Sequence, residues 1–311
     1  MSARILVSAR FLVTVRFLVT VRTVARLAVH DLGGPGHGPV LVLLHGNGDS
    51  GECWPDAARR WSTEHHVLAV DARGHGASPR FTRDQLDEPG DVFVADTVAV
   101  LRELRGQAGT GTPLVAVGHS LGGAALTAAC AEHPELVDAL VLIDPPWDSP
   151  PVLGARPDVG AERVRLITAY VSDPQAELVA LREREPLWPE DERVAWIDAK
   201  AQLDLAYIAT GAGRPSTPWT EHVPKIVVPT LIVTGDTGVI VGTETRKVLQ
   251  DMGNPVIEVV VLTDAGHYVR QDATGAFHAV IDPWLTERVT ARSRRPRSAR
   301  PGSGSSGPHR P

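Results

Sequence analysis

Apolar residues in this chain gather in short runs with almost no polar interruption. "VARLAVHDLG", "PVLVLLHG", "HHVLAVDARGHG", "LVAVGHS", "ALVLIDPP", "TLIVTGD" and "IEVVVLTDAGH" each carry branched aliphatic residues into a glycine, histidine, proline or acid. A run with no polar face predicts a strand covered on both sides, as in a parallel sheet. Between the runs the spacing changes to that of helices, over 91–104, 121–134 and roughly 272–287. Alternating strands and helices predict an α/β fold: a mostly parallel central sheet with helices on both faces. In such sheets ligands bind outside the carboxyl ends of the strands.

One stretch breaks the alternation. Residues 147–223 hold no strand pattern and read as helices over 161–172, 174–185 and 190–209. Inserted after the strand that ends at Asp144, they are expected to form a helical cap over the sheet's active edge. Trp147, Trp188, Trp196, Trp219 and Tyr207 all fall in it. Trp147 and Trp188 are the candidate substrate contacts, against the plainer reading that these rings pack the cap's own core.

The two ends differ from the 23–290 body. Over 5–21 the odd positions are apolar and the arginines all sit at even ones, a period of two that fits β-structure. Arginine interrupts every apolar run there, so no membrane span is expected. Residues 1–22 read as an extension of unassigned role. Residues 291–311 are rich in proline, glycine, serine and arginine and read as a disordered basic tail. Residues 1–30 and 291–311 carry five and six arginines and no acid, leaving 20 basic against 37 acidic residues between them. That balance argues against a nucleic-acid surface. The only two cysteines, Cys53 and Cys130, form no metal-binding or disulfide pattern. The expectation is a cytoplasmic protein acting on a small molecule without metal or cofactor, its oligomeric state left open.

The chemistry concentrates at Gly118-His119-Ser120-Leu121-Gly122. A serine on a tight strand-to-helix turn has strained backbone angles and needs small neighbours. The helix that follows points its positive end at the site, which favours an oxyanion. Three more motifs follow the same order along the chain: "LLHGNG" (43–48), "DARGHGASP" (71–79) and "DAGHYV" (264–269).

Together the four motifs resemble the α/β-hydrolase superfamily over about residues 23–290. The resemblance implies a serine nucleophile, Ser120, a histidine base, His267, and an oxyanion hole from the backbone N–H groups of Asn47 and Leu121. It implies a carboxylate three residues past the glycine of "TLIVTG", but Gly238 stands there. Some members carry the acid after the preceding strand, so Asp144 is the first candidate and Asp236 the alternative. His45 and His75 read as structural, as do Asp71, Arg73 and Asp264. His119 is expected to point away from the reaction, and His65, His66, His133 and His222 to be solvated. The activity expected is hydrolysis of a carboxylic ester or lactone through an acyl-enzyme. Carbon–carbon hydrolysis or perhydrolysis by the same triad, and a non-catalytic binding protein, are the alternatives. Haloalkane dehalogenation needs an aspartate where Ser120 stands.

Overall fold

The apolar runs assemble into one eight-stranded sheet in the computed structural model, which describes residues 19–109 and 111–293. The strands are β1 (Thr20–Val24), β2 (Leu27–Asp31), β3 (Val40–Leu44), β4 (His66–Val70), β5 (Leu114–His119), β6 (Ala139–Ile143), β7 (Thr230–Thr234) and β8 (Ile257–Val261). They lie in the order β1-β2-β4-β3-β5-β6-β7-β8. β1 and β2 pair antiparallel, as do β2 and β4, and every other pair is parallel. All residues of β3, β5, β6 and β7 are buried, which is why their sequences show no polar alternation.

Each central strand splits its side chains between two cores. Val42 and Leu44 of β3 join Leu140 and Leu142 of β6 on one face; Leu41 and Leu43 join Val141 and Ile143 on the other. Helices cover both faces: α1 (Pro55–Trp61), α2 (Pro89–Ala108) and α3 (Leu121–Glu132) in the first half. Between β6 and β7 come α4 (Pro157–Ser172), α5 (Pro174–Arg184), α6 (Glu190–Lys200), α7 (Leu205–Thr210) and α8 (Trp219–His222); α9 (Thr243–Met252), α10 (Val269–Asp272) and α11 (Thr274–Ser293) close the chain. No described helix is long and apolar enough to cross a membrane.

Several expectations need correction. The first run is not one strand but the hairpin β1–β2, turning at Ala25 and Arg26 with φ of 47° and 76°. Tight hairpins favour glycine or asparagine at such positions, so this turn has no signature in the sequence. It is held instead by Glu103, which accepts the Ala25 N–H at 2.8 Å. Residues 20–22, assigned to the extension, therefore belong to the sheet. The remaining extension up to 18 and the tail from 294 lie outside the described residues.

The expected helix over 190–209 is interrupted between α6 and α7. There the Asp204 carboxylate accepts the N–H groups of Ala206 and Phe81, and its own N–H donates to Gly74 O. Capping α7 and binding a distant loop outweigh helix continuation. His65 and His222, expected in solvent, are buried. His65 is turned under α1, with Nδ1 3.3 Å from Trp61 O, and His222 is packed against α3.

Candidate active site

Ser120 follows directly on β5 and precedes the first residue of α3. Its φ of 47° and ψ of −114° lie where non-glycine residues rarely go, at a cost of about 1–3 kcal/mol. Neighbours pin it there: Ser120 N–H donates to Ile143 O at 2.9 Å, and Ala124 N–H to Ser120 O at 3.0 Å. A Cβ on Gly122 would come within 2.4 Å of Leu44 O, so α3 rests against β3 only because glycine is there. The side chain of Ser120 reaches the wall of a cavity of about 470 Å³, which His267 also lines.

Asp144 lies one residue past β6, fully buried, at a φ of 38°. Its carboxylate accepts four hydrogen bonds: from Thr234 Oγ1 (2.8 Å), Ile240 N–H (3.0 Å), Val241 N–H (2.9 Å) and His267 Nδ1 (2.5 Å). Burial pushes this carboxyl up, but the His267 contact and the two amides outweigh it and hold the group below the ordinary range. An ionised carboxylate only accepts, so His267 Nδ1 carries the proton and Nε2 is left with its lone pair. The loop after β7, where the family resemblance implies a carboxylate, donates two amides to Asp144. Gly238 stands in that loop with φ of 65°. Asp236 is exposed and receives the Asp264 N–H; it has no bond to His267 among the described residues.

The loop after β3 is held from behind. His45 Nδ1 donates to Gly46 O at 2.7 Å, while Nε2 accepts the Ala72 N–H at 3.0 Å. That pattern needs a neutral ring, and burial lowers the His45 pKa accordingly. Gly48 N–H donates to His75 Nε2 at 3.1 Å, and His75 Nδ1 donates to Arg73 O at 2.9 Å. Burial, with His45 beside it, drops His75 to about 3. The Gly46–Asn47 peptide is thus fixed through its carbonyl. Among the described residues, neither Asn47 N–H nor Leu121 N–H donates a hydrogen bond. His119 turns from the cavity: its Nε2 donates to His267 O at 3.0 Å and its Nδ1 faces Asp49. Asp71 accepts from Gly51, Ala77 and His30, and Arg73 forms a two-pronged pair with Asp96 of α2. Both reach beyond the loop they were expected to tie.

The opposite walls come from the helical segment. Lys200, at the end of α6, is buried; its Nζ donates to Gly48 O at 2.6 Å and lies 3.8 Å from the centre of the Trp196 ring. Tyr207 donates to Asn47 Oδ1 at 3.1 Å. Arg163, Tyr170, Trp196, Arg214 and Tyr268 complete the polar and aromatic lining. The two tryptophans singled out as substrate contacts are elsewhere. Trp147 stacks on Trp219 in the core, ring centres 5.3 Å apart. Trp188 is buried with Leu178 and Leu181 and donates to Asp272. Of the aromatics in this segment, Trp196 and Tyr207 face the cavity with Tyr170. Lys200 was missed because its signal, a lysine four residues after a tryptophan on one helix, is ordinary on a solvated face.

Residues 41–280 match the model of the alpha/beta hydrolase family. The 2-(acetamidomethylene)succinate hydrolase of Mesorhizobium japonicum is 27% identical over 248 residues, covering 76% of this chain and 84% of that one. The pimeloyl-[acyl-carrier protein] methyl ester esterase of Chromobacterium violaceum is 37% identical over 108 residues, covering 35% of this chain and 37% of that one. Among solved structures, an E-2-(acetamidomethylene)succinate hydrolase superposes with a TM-score of 0.66 at 23% identity, covering 86% of this chain and 99% of that one. The enol-lactonase of Burkholderia xenovorans gives 0.64 at 20%, covering 86% and 100%. At these identities the superpositions speak to the fold.

Proposed function

The chain belongs to the alpha/beta hydrolase family and is a hydrolase, and from that premise we propose that it cleaves a carboxylic ester or lactone through an acyl-enzyme on Ser120. The observation that carries this is the 2.5 Å contact between His267 Nδ1 and the buried Asp144, with Ser120 and His267 lining one cavity. In this reading Ser120 Oγ attacks the substrate carbonyl and passes its proton to His267 Nε2. Asp144 fixes the tautomer and stabilises the imidazolium. The oxyanion takes the N–H groups of Asn47 and Leu121, with the start of α3 behind them. His267 then protonates the leaving alcohol, and water releases the acid by the reverse path. Burial pushes the Cys53 thiol up and the Cys130 thiol up to about 12, so neither cysteine competes as nucleophile.

Residues 147–223 act as the cap, closing the cavity above Ser120. The substrate is a small molecule, and the reaction uses no cofactor. Two free, buried cysteines suit the cytoplasm, where we locate the protein. Amide cleavage is the second reading, favoured by the acetamido group in the name of the relative matched over 84% of its length. It differs only in the leaving group that His267 protonates.

A fluorophosphonate probe tests the reading. The expected result is one adduct, on the Ser120 peptide, formed slowly in His267→Ala and not at all in Ser120→Ala. A folded protein that the probe leaves untouched would make this a binding protein and overturn the proposal.

A further inference from the structure

The cavity's fixed charges are all of one sign. Arg163, Lys200 and Arg214 line it, and among the described residues no aspartate or glutamate does. The three cations are not equivalent. Lys200 is spent on Gly48 O and on Asp49, 3.4 Å away. Arg214 Nη2 lies 2.5 Å from Asp148, while its Nε is buried without an acceptor among the described residues. Arg163 has no carboxylate partner among the described residues.

Arg163 is also aimed by its helix. Arg163, Leu166, Ile167 and Tyr170 of α4 all line the cavity, at the i, i+3, i+4 and i+7 spacing of one helix face. Both Arg163 and Arg165, two residues on, are exposed, but Arg165 forms a two-pronged pair with Glu162. One arginine of this helix is thus neutralised outside, and the other faces the cavity without a partner.

We propose that the substrate carries a carboxylate, received by Arg163 with Arg214 beside it, at the end of the molecule away from the bond cleaved at Ser120. This rests on the reading of Ser120 as nucleophile. A guanidinium donates two parallel hydrogen bonds to a carboxylate, and Arg163, though exposed, would do so on the helix face it shares with Leu166 and Ile167. Both binding regions fall within one cavity of about 470 Å³, which suits a compact acid-ester better than a long acyl chain.

The test compares two esters of equal length on the full chain: 4-nitrophenyl hexanoate and mono-4-nitrophenyl adipate. The adipate should have the higher kcat/KM by about ten-fold or more, mostly through KM and shrinking as salt is added. Arg163→Gln should cut that ratio about ten-fold and Arg163→Glu take it below one, while Arg165→Gln keeps it. Monomethyl adipate should slow fluorophosphonate labelling of Ser120 where dimethyl adipate does not. If Ser120 is labelled but the hexanoate is preferred, or the ratio ignores Arg163→Glu, this inference falls and the hydrolase reading stands. If Ser120 is not labelled and neither ester is cleaved, both fall.

Discussion

The sheet edge and the helical segment meet at one cavity but hold their groups in opposite ways. At the sheet edge, position comes from backbone. Ser120 and Asp144 both sit at positive φ, one residue past neighbouring strands, and Ser120 N–H is tied to the last residue of β6. The strands leave these groups no other place. In the helical segment, position comes from side chains that reach. Lys200 and Tyr207 extend to the loop after β3, and Arg163 projects from an exposed turn of α4. In the proposed function, rigid strand ends suit a reaction with fixed geometry, and the helices would set the size and charge of what enters.

Substitutions should separate the two regions, the largest effect first. Asp144→Asn should lower kcat for a chromogenic ester by about 10⁴-fold, because His267 loses the acceptor that sets its tautomer. Asp236→Asn should change it by less than about two-fold, since surface changes away from such features cost little. The reverse result would move the acid to the loop after β7. Gly122→Ala forces a Cβ to 2.4 Å from Leu44 O, and should cost about 4 kcal/mol or more in chemical denaturation. Gly106→Ala, inside α2 with no atom within 4 Å of the added carbon, should gain up to about 1 kcal/mol.

On the helical side, Lys200→Met leaves the buried Asp49 without its cation and should cost about 3 kcal/mol. Adding Asp49→Asn should return part of that loss, as coupled partners do. A full additive loss would mean that the two do not act as a pair. The smallest effect is that of pH. Burial lowers the folded pKa of His45, His75 and His119, in His75 to about 3. Unfolded histidine titrates near 6.5, so the stability these rings contribute is whole above that pH and drains as pH falls toward the folded values. His75 alone accounts for about 2 kcal/mol between pH 7 and pH 5. His30 works against this: burial lowers its pKa, but Asp71 raises it further, so its share is present below pH 6.5 and lost as pH rises. Urea melts across this range should show a net loss on acidification; a flat profile would contradict the burial of these rings.

What the sequence disclosed follows the same division. Strand ends are local features. An apolar run stops and the motif follows at once, so the turn at Ser120 was readable from position along the chain, whereas Asp144, weighed against Asp236, and His267 came only from the family resemblance. Cavity walls are not local. Which face of α4 or α6 looks inward depends on packing against α1, α5 and α7, so Lys200 and Arg163 read as ordinary surface cations. Trp147 and Trp188 drew attention by size alone, and size is what core packing selects. The break before α7 depends on Asp204 bonding a loop more than 120 residues away in sequence, which no helical periodicity contains.

The central claim is that Ser120 carries the acyl group during turnover. Acid-quenched mixing of the protein with a 4-nitrophenyl ester, followed by digestion and peptide mass measurement, tests it directly. The account predicts a burst of nitrophenol matching the enzyme concentration and the acyl mass on the peptide containing Ser120. Turnover with no acylated peptide, or with the acyl mass on another residue, would contradict it.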